Sequence, residues 1–170
     1  MQTSEVFETS EVSEGERDMV SAELLRRYPF FASLDEKQLD AIAAITQEKS
    51  YPKGTLLVKE NTTATCLALL IEGDIDLIFS GGGEGAISNA LVGSIATGEV
   101  YGVSSLIEPY RYTATAKATL PVRVIELDGL ALRAMLEKDA KMGFVMMRNV
   151  AIAVLERLKY TQVELAAARA

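Results

Sequence analysis

Between Tyr51 and Leu127 isolated glycines divide the chain into short β-type runs, and that spacing limits its fold more than any other feature. The segments read Lys53-Gly54-Thr55-Leu56-Leu57, then Leu69-Leu70-Ile71-Glu72-Gly73-Asp74-Ile75, then Thr97-Gly98-Glu99-Val100-Tyr101-Gly102. Glycine enters backbone of positive φ without the steric cost that other residues carry, so each one marks a turn between strands. Asn61, in Lys59-Glu60-Asn61, stands where a further turn is needed and also tolerates the left-handed region. Strands are expected at Thr55–Lys59, Thr65–Ile71, Ile75–Phe79, Ala90–Ile95, Tyr112–Ala118 and Val122–Leu127. So many short strands at close spacing predict a mainly β fold, a compact sandwich or barrel, and say nothing of a ligand.

Helical patterns flank this region. Asp18 to Tyr28 carries Leu24 and Leu25 among Arg26 and Arg27 and is stopped by Pro29, which predicts a short helix. Ser33-Leu34-Asp35-Glu36 opens a second one, with Ser33 as the expected N-cap and Glu36 completing a capping box. Leu39, Ile42, Ala43 and Ile45 supply its apolar face. Asp128 is placed to cap a helix from Gly129 to Lys138. From Ala140 to Ala170 there is no proline and one glycine, and Met147, Ala151, Val154, Leu158, Thr161 and Leu165 step by four and three. That is a short coiled-coil seam on a helix roughly 45 Å long, longer than the core of one domain needs, and it predicts a homodimer.

Composition removes several functions. The 170 residues suit one domain, read as a disordered tail over 1–17, a β-roll with its helices over 18–138, and a dimerisation helix over 139–170. The net charge of −7, with no run of basic residues, argues against nucleic-acid binding, which needs clustered cations. No apolar stretch reaches the roughly 18 residues that span a bilayer and no signal peptide is present, so a cytoplasmic address and no membrane partner are expected. The absence of histidine removes the commonest general base and zinc ligand, no nucleophile–base pairing is visible, and neither a metal nor a cofactor is expected. Cys66, the single cysteine, reads as a small hydrophobe within an apolar run. Gly81-Gly82-Gly83-Glu84-Gly85 lacks the Gly-Lys-Ser/Thr of a phosphate loop and reads as a hairpin loop. Glu72, Asp74 and Asp76 lack calcium-loop spacing, and alternation along a solvated strand face explains the two aspartates.

Three motifs carry a resemblance. Leu24-Leu25-Arg26-Arg27-Tyr28-Pro29-Phe30-Phe31-Ala32-Ser33-Leu34 is similar to an opening helix followed by a Phe-x-x-Leu turn. Gly54 and Gly73 match a pair of structural glycines, and Gly98-Glu99-Val100-Tyr101-Gly102 matches the start of a phosphate-binding cassette. Together, over most of the chain from Leu24, these resemble the cyclic-nucleotide-binding domains of catabolite-activator-like regulators, kinase regulatory subunits and gated channels. The resemblance implies a jelly-roll-like double-stranded β-helix with flanking helices, and a non-enzymatic sensor whose ligand is a cyclic nucleotide or a related small molecule.

Carried onto this sequence, the resemblance places the cassette at Gly98, Glu99, Tyr101, Gly102, Val103, Ser104, Ser105, Arg111, Tyr112 and Thr113. Two positions depart from the family pattern. Val103 stands where the family has the glutamate that binds the ribose 2′-hydroxyl, and Tyr112 stands where it has the arginine that pairs with the cyclic phosphate. Amides at Gly102 to Ser105 and the hydroxyls of Ser104 and Ser105 remain as donors, but the fork of a guanidinium is what fits two phosphate oxygens. Arg111 is one residue from that place, and alternate strand residues point to opposite faces, so a solvated Arg111 is expected. Losing two charge-assisted contacts, each worth about 1.5–3 kcal/mol, predicts weak cAMP binding. No DNA-reading element is expected after the long helix, and output is expected through the dimer, an effector protein or a further domain. The alternative is a ligand-free scaffold that kept the fold.

Overall fold

The computed structural model describes residues 19–81 and 89–170; the tail expected over 1–17 and most of the glycine-rich loop from Gly81 lie outside them. Two four-stranded antiparallel sheets form the body. The first has the order β1 (Thr46–Tyr51), β8 (Val122–Asp128), β3 (Cys66–Glu72), β6 (Val100–Tyr101), and the second β2 (Leu56–Val58), β7 (Thr115–Ala118), β4 (Ile75–Phe79), β5 (Ala90–Ile95). This is the predicted jelly-roll. Gly54, Gly73, Gly98 and Gly102 all take positive φ (90°, 101°, 90° and 76°), and Asn61 joins them at 62°.

The first sheet is covered on both faces, which explains why β3 reads as an unbroken apolar run. On β3, Leu67 and Leu69 face the helices, while Ala68 and Leu70 face the interior of the roll. On β8, Ile125 and Leu127 face the helices and Val122 and Val124 face inward. Phe31, Leu39, Leu132, Met142 and Met146 complete the helix-side core, where Phe30 and Phe31 meet edge to face at 5.0 Å.

The flanking helices are α1 (Ala22–Arg26), α2 (Glu36–Ala43), α3 (Gly129–Lys138) and α4 (Ala140–Arg169). Asp128 caps α3 as predicted, accepting from the Ala131 amide at 2.7 Å. The first two helices need correcting. The opening helix is only five residues long, capped by Ser21. The capping box of α2 is formed by Asp35 and Gln38, not Ser33 and Glu36: Asp35 accepts from the Gln38 amide at 2.8 Å and Gln38 Oε1 accepts from the Asp35 amide at 3.1 Å. Ser33 is engaged elsewhere, accepting from Asn149 Nδ2 of α4 at 3.3 Å, while Asn149 also donates to Phe30 O at 2.7 Å. β1 and β6 are strands that sequence reasoning missed.

The helix α4 starts on Asp139, whose carboxylate accepts from the Met142 amide and from Gln38 of α2. Those contacts, the Met142 amide first, hold this carboxyl below its ordinary range. Met142, Met146, Asn149 and Val150 then bury one face of α4 against the core. Beyond Val150 the helix is largely exposed, with Leu155, Leu158 and Val163 at 63%, 50% and 62%.

Candidate functional site

The cassette is hung on β3. Gly98 N donates to Leu70 O at 2.8 Å, Leu70 N donates to Glu99 O at 3.0 Å, and Val100 and Tyr101 pair with Leu69 and Ala68. At Gly102 the backbone turns left-handed and runs so close to β3 that a Cβ there would lie 2.4 Å from Cys66 O. A single 3-10 turn, Val103–Leu106, follows. The buried Ser105 hydroxyl closes the turn by donating to Gly102 O at 2.7 Å. Arg133 of α3 braces it from outside, donating to Ser105 O and lying 4.0 Å above the Tyr110 ring.

Residues 111 and 112 then pair with the segment before β3. Tyr112 N donates to Thr62 O, Asn61 N to Tyr112 O and Ala64 N to Tyr110 O. Strand alternation turns Tyr112 inward and Arg111 outward. Arg111 is exposed and donates to Asn61 O, away from the interior of the roll. Tyr112 is 6% exposed; its hydroxyl accepts from the Thr65 and Cys66 amides, both at 3.2 Å, and has Cys66 O at 3.3 Å as its own acceptor. Burial pushes the Cys66 thiol up, so at neutral pH it is the protonated, unreactive form.

A cavity of about 210 Å³ lies beside the cassette. Tyr101, Gly102, Val103 and Ser104 form one side, Tyr112, Thr113 and Ala114 another, and Val58, Leu77 and Val92 the apolar wall. Arg157 and Thr161 of α4 complete the lining. Of the residues expected from the sequence, six therefore meet here. Gly98 and Glu99 line a neighbouring cavity of about 610 Å³ between β5, the Ala96–Val100 turn and α4. Ser105 is buried behind the turn and Arg111 is excluded.

Two polar groups stand out chemically. The half-buried Arg157 donates to Val100 O at 3.0 Å; burial pulls its guanidinium below the ordinary value, and the nearby Glu99 opposes that. Tyr101, 2% exposed, holds a hydroxyl with no hydrogen-bond partner among the described residues. A buried hydroxyl left so costs about 1–3 kcal/mol. Sequence reasoning missed Arg157 and Thr161 because the heptad pattern does not say which part of the helix surface meets the roll.

The cyclic nucleotide-binding domain model matches residues 48–139. The chain belongs to that family. Among solved structures, a Geobacter metallireducens protein named for cyclic nucleotide binding is 48% identical, with a TM-score of 0.74 over 82% of this chain and 99% of that one. The regulatory domain of Toxoplasma gondii PKA, crystallised with cAMP, is 26% identical, with a TM-score of 0.58 over 66% of this chain and 42% of that one. A Rhodopseudomonas palustris protein named as a potassium channel is 24% identical over 130 residues, 76% of this chain. This chain spans only 30% of that relative's length. Within the described residues of this cyclic nucleotide-binding domain, no helix is long and apolar enough to cross a membrane.

Proposed function

We propose that this domain is a non-enzymatic sensor that takes a cyclic nucleotide or a related small anion between the cassette and α4. One observation carries the reading: the inner cavity is lined by cassette residues and by Arg157 and Thr161 of the long helix, so an occupant touches both. Occupancy then biases how α4 sits on the roll, and the helix passes the signal on. The relative crystallised with cAMP supports the ligand class. A thermal titration with cAMP and with cGMP tests this. A ligand held at a hundred times its Kd stabilises the folded state by about 2.7 kcal/mol, which raises Tm by about 5–10 °C in a domain of this size. No rise with either nucleotide at millimolar concentration counts against it.

The exposed half of α4 suits a second copy of the chain. Met147, Val154, Leu158 and Leu165 keep the seam spacing and are 39–50% exposed. Pairing two such helices buries that stripe without disturbing the docked face at Met142, Met146 and Val150. Sedimentation is expected to show two chains for the wild type and one for Leu158→Glu; a dimeric Leu158→Glu variant would place the interface elsewhere. Output through an effector protein, without nucleic acid or membrane, fits the acidic charge. A second reading, a ligand-free interaction domain, is favoured by Tyr112, which fills the arginine position with a fully bonded hydroxyl. The same thermal titration separates the two.

A further inference from the structure

We infer that Arg157 is the cation of this site: a guanidinium delivered from α4, not from the strand after the cassette, pairs with an anionic oxygen of the ligand in the inner cavity. The inference deepens the sensor reading and rests on it for the place of the ligand.

The charge has few other sources. Tyr112 fills the cassette's own arginine position, and Arg111 faces solvent on the opposite side of its strand. Arg133 is spent on Ser105 O and the Tyr110 ring and lines neither cavity. Arg157 lines both cavities, so its side chain stands where they join. A guanidinium offers five donors, and among the described residues its one hydrogen bond goes to Val100 O. Glu99 does not absorb the charge by direct contact, because its carboxylate is turned to accept from the Ala96 amide at 2.8 Å. A partly desolvated guanidinium with donors to spare is a place for an anion.

Two consequences follow from the geometry. A phosphate oxygen is a stronger partner for a guanidinium than a carbonyl, so ligand entry draws Arg157 away from Val100 and changes how α4 is held on β6. The outer cavity, in contrast, carries Glu99, Glu156 and Glu164. A second phosphate reaching outward would meet these carboxylates, so the ligand class is a small compound with a single negative charge and an uncharged remainder, such as a cyclic phosphodiester.

The experiment uses the whole chain and two probes: cAMP by calorimetry, and inorganic phosphate at constant ionic strength followed by NMR at the backbone amides of Gly102, Val103 and Ser104, which line the cavity and are present in every variant. Arg157→Gln is expected to weaken cAMP by about tenfold to a hundredfold, the loss of one charge-assisted contact. Arg157→Lys keeps the charge but not the fork and is expected to lie between. Arg111→Gln leaves affinity unchanged. Melting curves show that each variant is folded, and Arg157→Lys carries the test if Arg157→Gln is not. Unchanged cAMP binding in Arg157→Gln overturns the inference and leaves the sensor reading standing. A phosphate response lost in Arg157→Gln, without cAMP binding in the wild type, supports the inference and removes the cyclic-nucleotide reading. No response of the wild type to either probe overturns both.

Discussion

Gly102→Ala is expected to lower stability by about 4 kcal/mol, at the exceptional end for a single substitution. The left-handed backbone at φ 76° accounts for about 1–2 kcal/mol of this for any residue with a Cβ. The rest is contact: the new Cβ would lie 2.4 Å from Cys66 O, with the Tyr112 ring at 3.4 Å. Cys66 belongs to β3, which is held between β8 and β6, so its carbonyl cannot retreat without lifting the central strand. Gly54→Ala is the matched control. It has φ 90° but nothing within 4 Å of where the alanine methyl group would stand, so only the conformational cost of about 1–2 kcal/mol applies. At about 2–4 °C per kcal/mol, Gly102→Ala should melt about 10 °C lower than the wild type and well below Gly54→Ala. Equal melting of the two variants would show that the cassette is not pressed against β3.

Tyr112→Arg combined with Val103→Glu is expected to tighten cAMP binding by about two to four decades. Both positions line the inner cavity, and each restored charge-assisted contact is worth about 1.5–3 kcal/mol. The structure adds a cost that the sequence does not show. The Tyr112 hydroxyl is the acceptor for the Thr65 and Cys66 amides, and arginine offers no acceptor in its place. The double variant should therefore melt below the wild type without ligand and regain stability when cAMP is added. Tyr112→Phe isolates that cost, since it removes the hydroxyl and adds no charge. A folded double variant with wild-type affinity for cAMP would mean that residue 112 does not face the ligand.

These two substitutions also mark how far the sequence reaches. Local chemistry was legible: the turn glycines, the Asp128 cap, the bounds of α3 and the length of α4 follow from neighbouring residues alone. β1 was not, because Thr46-Gln47-Glu48-Lys49-Ser50-Tyr51 is a polar edge strand. It is held by pairing with β8 and by contacts such as Tyr51 Oη to Glu126 at 2.8 Å and Lys49 to Glu126 at 2.6 Å. β6 has two residues and exists only because β3 receives them. The cap of α2 was misplaced by two residues: Asp35 and Gln38 form the same local three-residue box that was expected of Ser33 and Glu36. At the site, the cassette was readable from its glycines, and strand alternation correctly turns Arg111 outward. The place of Arg157 in the cavity lining was not readable, because it depends on how α4 docks.

The most direct measurement is a chemical-shift map of isotope-labelled protein with cAMP or cGMP at saturation. A ligand held between the cassette and α4 moves Tyr101 to Ser104, Tyr112 to Ala114, and Arg157 and Thr161 together, leaving Arg111 and the outer face of β1 unchanged. Shifts confined to the roll, with Arg157 and Thr161 silent, or no shifts at all, would contradict a sensor that reads its ligand through the long helix.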